Sequence, residues 1–472
     1  MQDKLRKLND AQIMLMIFLC AIFFCMLTIC DDHNWGGDFS QYLAQTRAIS
    51  DNNISDWLDK QNFIIANSTP GFSPLIYPWI TAIIFVPIYK IFGLNLIAFK
   101  LCEIFLSATA WIIFYKILRL KENLLTAAII TAILFCNAHY IFLTDNILSE
   151  CPFLLFSFAA IFFYYKRKEN FILYSVLLGV TIFLAVNTRT LGIALLLALL
   201  ADDLITRKFS AIKILPYATY AVLKIILAFI LPTIPIQNNS GYLVTFSLNP
   251  TDILAQIIYQ IKVFGSFFLP NIKNIWAADL NAITFCIGIF FIILAIVGAI
   301  KNFTEHRFIF FYCAITFAII SAFNTQAGIR YIFGIIPCAM YLAFLAIKNF
   351  QLKYFGGAIL SVTIIFSIGA IIFNPNSNQA YTDEAVATYN FINENISDDK
   401  IIFFFKPRVL YLNTNNYSYF YWEDDEQSLR KADYVLLTTD DYFPKLRNIL
   451  ADNKKYFHVY GNDKFNLYKV EN

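Results

Sequence analysis

A chain of 472 residues that is 58% hydrophobic, 17% aromatic and only 15% charged cannot be one water-soluble globule. It is expected to be a polytopic α-helical membrane protein. The net charge of +3 is close to neutral, so no nucleic-acid partner is expected.

Apolar stretches long enough, or nearly so, to cross a hydrocarbon core of about 30 Å fall at 11–30, 97–118, 124–143, 151–165, 171–186, 190–205, 214–236, 281–300, 308–322, 331–347 and 354–373. About eleven transmembrane helices are therefore predicted, with further helices lying at the interface. The first stretch follows Lys4, Arg6 and Lys7 and ends at Cys30, which runs directly into Asp31 and Asp32 with no small-residue cleavage site. It reads as a retained helix rather than a removed signal peptide. The three cations place the N-terminus in the cytoplasm, and the acidic loop that follows lies outside.

The next apolar segment, 73–92, carries Pro74, Pro78 and Pro87 and decides the topology. Were it to cross, the clusters Lys116/Arg119/Lys121, Lys166/Arg167/Lys168 and Lys301/Arg307 would all lie outside. If it stays at the interface, all three become cytoplasmic, together with Arg207, Lys208, Lys213, Lys348 and Lys353. The second arrangement is the expected one, and it leaves the C-terminal segment outside.

The same bookkeeping sends Asp38, the run Thr144 to Glu150, Asn187 to Arg189, the loop 237–280 and Asn324 to Arg330 to the outer face. Charged side chains at span ends are costly unless paired or wet, so their convergence on one face marks a candidate site. Lys262 and Lys273 lie in the 237–280 loop, whose apolar segment reads as an amphipathic interfacial helix, and lipid headgroups are their expected contacts. Residues 1–373 form the predicted membrane domain, with a first outer loop at 31–96.

After Phe373 the composition turns charged, and 374–472 reads as a soluble extracytoplasmic domain of about a hundred residues. Helical spacing at 382–395 and strand-like runs at 401–405 and 434–438 predict a small α/β unit. It has no glycine-rich phosphate loop, so recognition or support is expected of it rather than catalysis. The nine cysteines sit in or beside apolar spans without metal spacing and read as small core hydrophobes. His33, His139 and His306 are scattered and read as packing or surface residues. Trp35, Trp79 and Trp276 are the outer-side aromatics worth following.

The order Gly37-Asp38-Phe39-Ser40-Gln41-Tyr42, Pro70-Gly71-Phe72-Ser73-Pro74-Leu75 and Phe92-Gly93-Leu94-Asn95 with Phe99-Lys100 resembles the GT-C membrane glycosyltransferases. Within that class it is most similar to the protein O-mannosyltransferase and lipid A aminoarabinose transferase family. Ser149-Glu150-Cys151-Pro152-Phe153, Thr188-Arg189-Thr190-Leu191-Gly192 and Arg330-Tyr331 followed by Pro337 resemble further family segments. The resemblance implies a GT-C-like fold, Asp38 as catalytic base with Tyr42 one helical turn on, and a polyprenyl-phosphate sugar as donor. Many members carry Asp-Glu where this chain has Asp38-Phe39. That departure leaves acceptor class open, and a divalent metal is the one cofactor left open.

Elementary chemistry agrees with that assignment. Transfer from a lipid-phosphate sugar expels a phosphate that needs no proton at neutral pH, so the enzyme needs one base and cations for the leaving group. Asp38 can supply the first, Arg189 and Arg330 the second, because a guanidinium fork donates two hydrogen bonds to phosphate at once. Glu150 can orient ring hydroxyls or a neighbouring arginine, and Lys100 and Tyr331 complete the donor-binding set. Direct attack on the anomeric carbon predicts inversion.

Plainer readings stand beside these. Asp31 and Asp32 read as solvated interface charges, Glu150 can simply cap a helix dipole, and Arg189 and Arg330 can snorkel to headgroups. The expectation is an inverting transferase in a bacterial inner membrane, with a protein, lipid or glycan acceptor and membrane lipid as partners. The alternative is a transporter or lipid flippase, which would favour inverted repeats and polar residues at the midplane.

Overall fold

The computed structural model describes residues 9–69, 73–206, 211–232, 246–271, 281–324, 326, 328–348, 352–374, 379–439, 443–452 and 454–471. Lys4, Arg6, Lys7, Pro70, Gly71, Phe72, Arg207, Lys208, Lys273 and Trp276 lie outside them, as does much of the 237–280 loop.

In chain order the main helices are α1 (Asp10–Met26), α2 (Gly37–Ser50), α3 (Ile54–Asn67), α4 (Trp79–Phe92), α5 (Leu96–Arg119), α6 (Leu124–Phe135), α7 (Ala138–Thr144), α8 (Glu150–Lys166) and α9 (Phe171–Thr188). They continue with α10 (Ile193–Thr206), α11 (Leu215–Ile230), α12 (Pro250–Ser266), α13 (Ala282–Lys301), α14 (Phe303–Ser321), α15 (Ile336–Ile347), α16 (Leu352–Phe373) and α17 (Asp383–Asn395). The C-terminal part then runs β1 (Ile401–Phe403), α18 (Pro407–Thr414), β2 (Tyr417–Tyr419), β3 (Tyr434–Thr438), α19 (Pro444–Asp452), β4 (Tyr456–Gly461) and β5 (Phe465–Val470).

Asparagine starts many of these helices. Asn9, Asn123, Asn137, Asn170, Asn249 and Asn281 each accept a backbone N–H of the first turn, settling one of the amides a helix start leaves open. Each apolar stretch of the sequence holds a helix, but they differ in reach. Among the described residues four helices, α5, α9, α13 and α14, are long and apolar enough to cross a membrane alone. The pair α6 and α7, bent by 62° at Cys136–Asn137, makes a fifth if taken as one span. Of the other helices, α16 has 22 residues and the rest 17 or fewer, so eleven crossings are not established by length. Helix α4, at 14 residues, spans about 21 Å and falls short of a bilayer core.

The chain divides into two compact units: residues 1–29, 100–233 and 245–375 form one, and 30–99, 234–244 and 376–472 the other. The first outer loop, grouped by sequence with the membrane part, therefore folds with the C-terminal domain.

The helical unit has one large apolar core, with Trp111, Tyr140, Phe158 and Phe267 among its buried aromatics. Glycines set its closest approaches. A Cβ on Gly265 would lie 1.8 Å from the Thr284 carbonyl oxygen, and one on Gly298 1.8 Å from that of Leu342, so α13 packs on α12 and α15 nearly backbone to backbone. Most of the cations read as cytoplasmic that are described here are ion-paired within this unit: Arg307 with Asp202 at 2.7 Å, Lys213 with Asp203 at 3.0 Å, Lys348 with Glu122 at 2.8 Å, Arg119 with Asp10 at 2.7 Å and Lys121 with Glu305 at 2.8 Å.

The other unit contains a five-stranded mixed sheet in the order β2-β1-β3-β5-β4. Strand β1 runs parallel to β2 and β3, while β3 and β4 pair antiparallel with β5. The expected helix at 382–395 and strands at 401–405 and 434–438 appear as α17, β1 and β3. The first-loop segment is hydrogen-bonded onto this domain: Thr69 N–H donates to Phe420 O at 2.9 Å, and Ala380 N–H to His33 O at 3.0 Å.

Candidate active site

Two groups of polar side chains stand out, one in each unit. In the sheet-bearing unit, Asp38 is the second residue of α2, where the amides of a helix start favour a carboxylate. It is half-buried, and the Tyr77 hydroxyl donates to Oδ1 at 2.8 Å. The Tyr77 segment is strapped to α2. Gln45 Nε2 donates to Tyr77 O at 3.0 Å while Gln45 Oε1 accepts from Tyr77 N–H at 3.1 Å, and Gln41 Nε2 donates to Leu75 O at 2.9 Å. Tyr42 packs its ring 5.2 Å from that of Tyr77 and is buried.

Behind Tyr77 stands Arg408 of α18, with its guanidinium 5.6 Å above the ring. Its three nitrogens donate to Ser73 Oγ at 2.6 Å, Pro74 O at 2.6 Å and Gln61 Oε1 at 3.2 Å. Burial pushes the Lys406 ammonium below its ordinary value, and the Asp38 carboxylate opposes that shift. The Asp38 carboxylate thus sits in a fixed frame with a cation in its field. Arg408→Ala would remove three hydrogen bonds, one to the buried Gln61 and two to the part-buried Ser73 and Pro74, and since hydrogen bonds to charged groups contribute about 1.5–3 kcal/mol each, a loss of about 3 kcal/mol is expected. A thermal unfolding shift of under a degree would show that Arg408 is not the prop of this frame.

In the helical unit, Glu150 is the first residue of α8 and 1% exposed. Arg189 Nη1 lies 2.7 Å and Arg330 Nε 2.5 Å from the same oxygen, Oε1, while Oε2 has no hydrogen-bond partner among the described residues. Arg189 leaves the helix in an extended conformation as the C-cap of α9, with Tyr331 under its guanidinium at 5.8 Å. Arg330 ends a single helical turn begun by Gly328, whose φ of +60° suits glycine. The Gly328 N–H donates to the Tyr259 hydroxyl of α12 at 2.9 Å. Counted by themselves, the three side chains carry two positive charges and one negative. The arginine side chains retain 12% and 29% of their exposure and Glu150 1%, so the reachable part of this trio is cationic.

Lys100 lies apart from that cluster in its pairing. It is fully buried and bound to Asp145 Oδ1 at 2.8 Å, at the end of α7. One turn further along α5, Glu103 is also fully buried, facing the Cys151 thiol and the Leu148 N–H.

The sequence reading missed Tyr77, Arg408, Lys406 and Glu103, and named Asp145 only within the run Thr144 to Glu150. Glu103 and the mid-helix Lys224, which donates to Asn187 at 2.6 Å, carried a usable signal, since a charge inside an apolar run is a site hypothesis by default. Arg408 carried none, because its partners lie more than three hundred residues away in sequence.

Some expectations need adjusting. Asp32 is not a solvated charge: it is 2% exposed, and its Oδ1 accepts from Tyr381 N–H at 2.6 Å and His33 N–H at 2.5 Å. Asp31 is exposed. Trp35 packs on Phe404, Phe405 and Phe465, and Trp79 on Trp57, so both serve packing. His33 stacks on Phe39, His139 lies against Ser266 O, and His306 meets the Tyr165 hydroxyl. Among the described residues no group of three or more His, Cys, Asp or Glu side chains is placed to hold a metal ion.

No protein-family model matches the sequence, and no curated protein matches it. The fold, however, is shared with solved structures. ArnT from Cupriavidus metallidurans, solved bound to undecaprenyl phosphate, aligns with a TM-score of 0.62 at 11% identity over 96% of this chain and 97% of its own. The Archaeoglobus fulgidus oligosaccharyltransferase in complex with Zn and sulfate aligns at 0.58 and 11% identity over 97% of this chain and 73% of its own. The archaeal oligosaccharyltransferase AglB from the same organism, in complex with an inhibitory peptide and a dolichol-phosphate, gives 0.52 at 11% identity over 97% and 74%. The chain has the GT-C fold of these membrane glycosyltransferases and is an integral membrane protein.

Proposed function

We propose that this protein is an inverting glycosyltransferase that moves a sugar from a polyprenyl-phosphate donor to a protein, lipid or glycan acceptor on the outer face of a bacterial inner membrane. The observation that carries this reading is the Glu150–Arg189–Arg330 cluster, a buried carboxylate holding two partly open guanidiniums. Such an arrangement is suited to a phosphate, in a fold whose solved examples include one bound to undecaprenyl phosphate and one to a dolichol-phosphate.

In the proposed reaction the acceptor oxygen or nitrogen attacks the anomeric carbon from the face opposite the leaving group. The bond from that carbon to the phosphate oxygen breaks, and its electron pair stays on the lipid phosphate. Asp38 takes the proton of the acceptor, with Tyr77 orienting its carboxylate and Tyr42 packed beside Tyr77. Arg189 and Arg330 offset the charge that develops on the phosphate. Glu150 acts as a positioning residue for both arginines, with Tyr331 beneath Arg189. Lys100, held by Asp145, is a further candidate ligand of the donor phosphate. The described residues do not supply a metal-ligand set around Asp38 or Glu150, so no step is routed through a divalent ion.

The test is turnover by the full-length protein in liposomes, given a panel of radiolabelled polyprenyl-phosphate monosaccharides and cell-envelope acceptors. Label on an acceptor with matching release of lipid phosphate and an inverted anomeric centre is expected. Passage of labelled lipid across the bilayer without any transfer would replace this reading with the flippase.

A further inference from the structure

Lys224 interrupts α11 in the stretch from Ala221 to Ile230, which is otherwise apolar throughout. Its neighbours Val222, Ile225, Ile226, Phe229 and Ile230 are exposed, as suits a helix that turns a face to lipid. An ammonium among them is costly unless it meets an anion or water. The Lys224 side chain is itself exposed, so a partner can reach it.

Packing fixes where that ammonium sits. Helices α9 and α11 meet backbone to backbone at Gly179, where a Cβ would lie 2.5 Å from the Pro216 carbonyl oxygen and 2.7 Å from the Thr219 Cβ. Eight residues further along each helix, about 12 Å, Lys224 Nζ donates to Asn187 Oδ1 at 2.6 Å. The two helices therefore run parallel and in step, and the lysine bridges the seam between them. Asn187 is the last but one residue of α9, a helix long enough to cross a membrane alone. Its level is thus the edge of the hydrocarbon core, where lipid phosphates begin.

Chemistry narrows the occupant. An ammonium has three N–H donors, of which Asn187 takes one, while the Asn187 amide donates to Phe183 O at 2.8 Å. That partner is neutral, and among the described residues no carboxylate pairs with Lys224. A charge and two donors remain for an anion. A soluble anion gains nothing from the apolar side chains on either side of Lys224, whereas a lipid can lay its acyl chains against them while its phosphate meets the ammonium. A phosphodiester carries a single negative charge, which matches the single cation.

We propose that Lys224, held by Asn187, binds the phosphodiester head of an anionic glycerophospholipid at the seam of α9 and α11, in the leaflet towards which both helices run. The site needs none of Glu150, Arg189 and Arg330, and it does not rest on the glycosyltransferase reading.

The experiment is native mass spectrometry of the full-length protein released from a neutral detergent. The protein is titrated with phosphatidylglycerol, phosphatidylcholine or a polyprenyl phosphate, each with and without inorganic phosphate. Wild type is expected to bind its first phosphatidylglycerol about fivefold more tightly than phosphatidylcholine, the contribution of one lysine beside an anionic lipid. Lys224→Met, which keeps the length and removes the charge, is expected to bind both lipids alike, and Lys224→Arg to keep the preference. Lys224→Gln repeats the neutral substitution should Lys224→Met fail to fold. Lys121→Met removes an exposed cation elsewhere in the helical unit and should bind as the wild type does, which controls for net charge. No preference for phosphatidylglycerol in the wild type, a preference that survives Lys224→Met or Lys224→Gln, or its displacement by inorganic phosphate would overturn the proposal. So would a polyprenyl phosphate that binds more tightly than phosphatidylglycerol and loses that advantage with the lysine, since Lys224 would then be a donor ligand.

Discussion

Asp38→Asn is expected to reduce sugar transfer by about a hundred- to ten-thousand-fold, the range over which a positioned general base contributes. The substitution keeps the shape of the side chain and an oxygen that can still accept from the Tyr77 hydroxyl, now at 2.8 Å, so the frame around α2 should persist. What it removes is the ability to take a proton from the acceptor. The carboxylate also loses its interaction with the helix start, but at a half-exposed position that is about 0.3–1 kcal/mol, too little to unfold the unit. Thermal unfolding should therefore barely move while turnover collapses. Two companions sharpen the result. Tyr77→Phe leaves the base but removes the hydroxyl that orients it, and a smaller loss of about tenfold is expected. Asp31→Asn, altered at an exposed carboxylate seven residues earlier, should transfer at the wild-type rate. Equal turnover in Asp38→Asn and wild type would remove Asp38 as the base.

The membrane class, the helical content of each apolar stretch and the small C-terminal sheet were legible because each depends on local signals. Composition, hydrophobic runs and asparagine caps are properties of short windows. The number of crossings was less legible, since run length in sequence ignores where a helix bends: α6 and α7 occupy one apolar run yet turn by 62° at Asn137, whose side chain caps α7 and donates to Phe267 O at 2.9 Å. Arg189, Arg330 and Glu150 were found as charges at span ends on the expected outer face. That all three meet through one carboxylate oxygen depends on tertiary packing and has no sequence signature. The same holds for Arg408, read as part of an unremarkable soluble domain, whose guanidinium braces the first-loop segment that carries Tyr77. Asp32 was misjudged for a related reason: three carboxylates in eight residues look alike in sequence, and only folding buries one against the Tyr381 amide.

Glu150→Gln is expected to have the larger effect on stability and an equally informative effect on donor binding. The wild-type cluster carries one negative and two positive charges, with the carboxylate 1% exposed. Glutamine preserves volume and one acceptor oxygen, so the change isolates the charge. Breaking a buried ion pair from one side costs about 3–5 kcal/mol; because Arg189 and Arg330 keep part of their hydration, about 2–3 kcal/mol is the expected loss, read as a fall in the unfolding temperature of the full-length protein. Donor binding then separates two accounts of the site. If phosphate were attracted by the net charge of these three side chains alone, Glu150→Gln would raise it from one to two and tighten binding, whereas Arg330→Gln would abolish it and weaken binding. If Glu150 instead holds both guanidiniums at the angle that lets their forks meet phosphate, both substitutions weaken binding. The shared oxygen argues for the second account, since Oε1 is the point through which both arginines are oriented. Both variants should therefore raise KM for the polyprenyl-phosphate sugar, with a larger fall in unfolding temperature for Glu150→Gln than for Arg330→Gln, which leaves Arg189 still paired. Tighter donor binding by Glu150→Gln would mean that the carboxylate restrains the arginines electrostatically rather than positioning them.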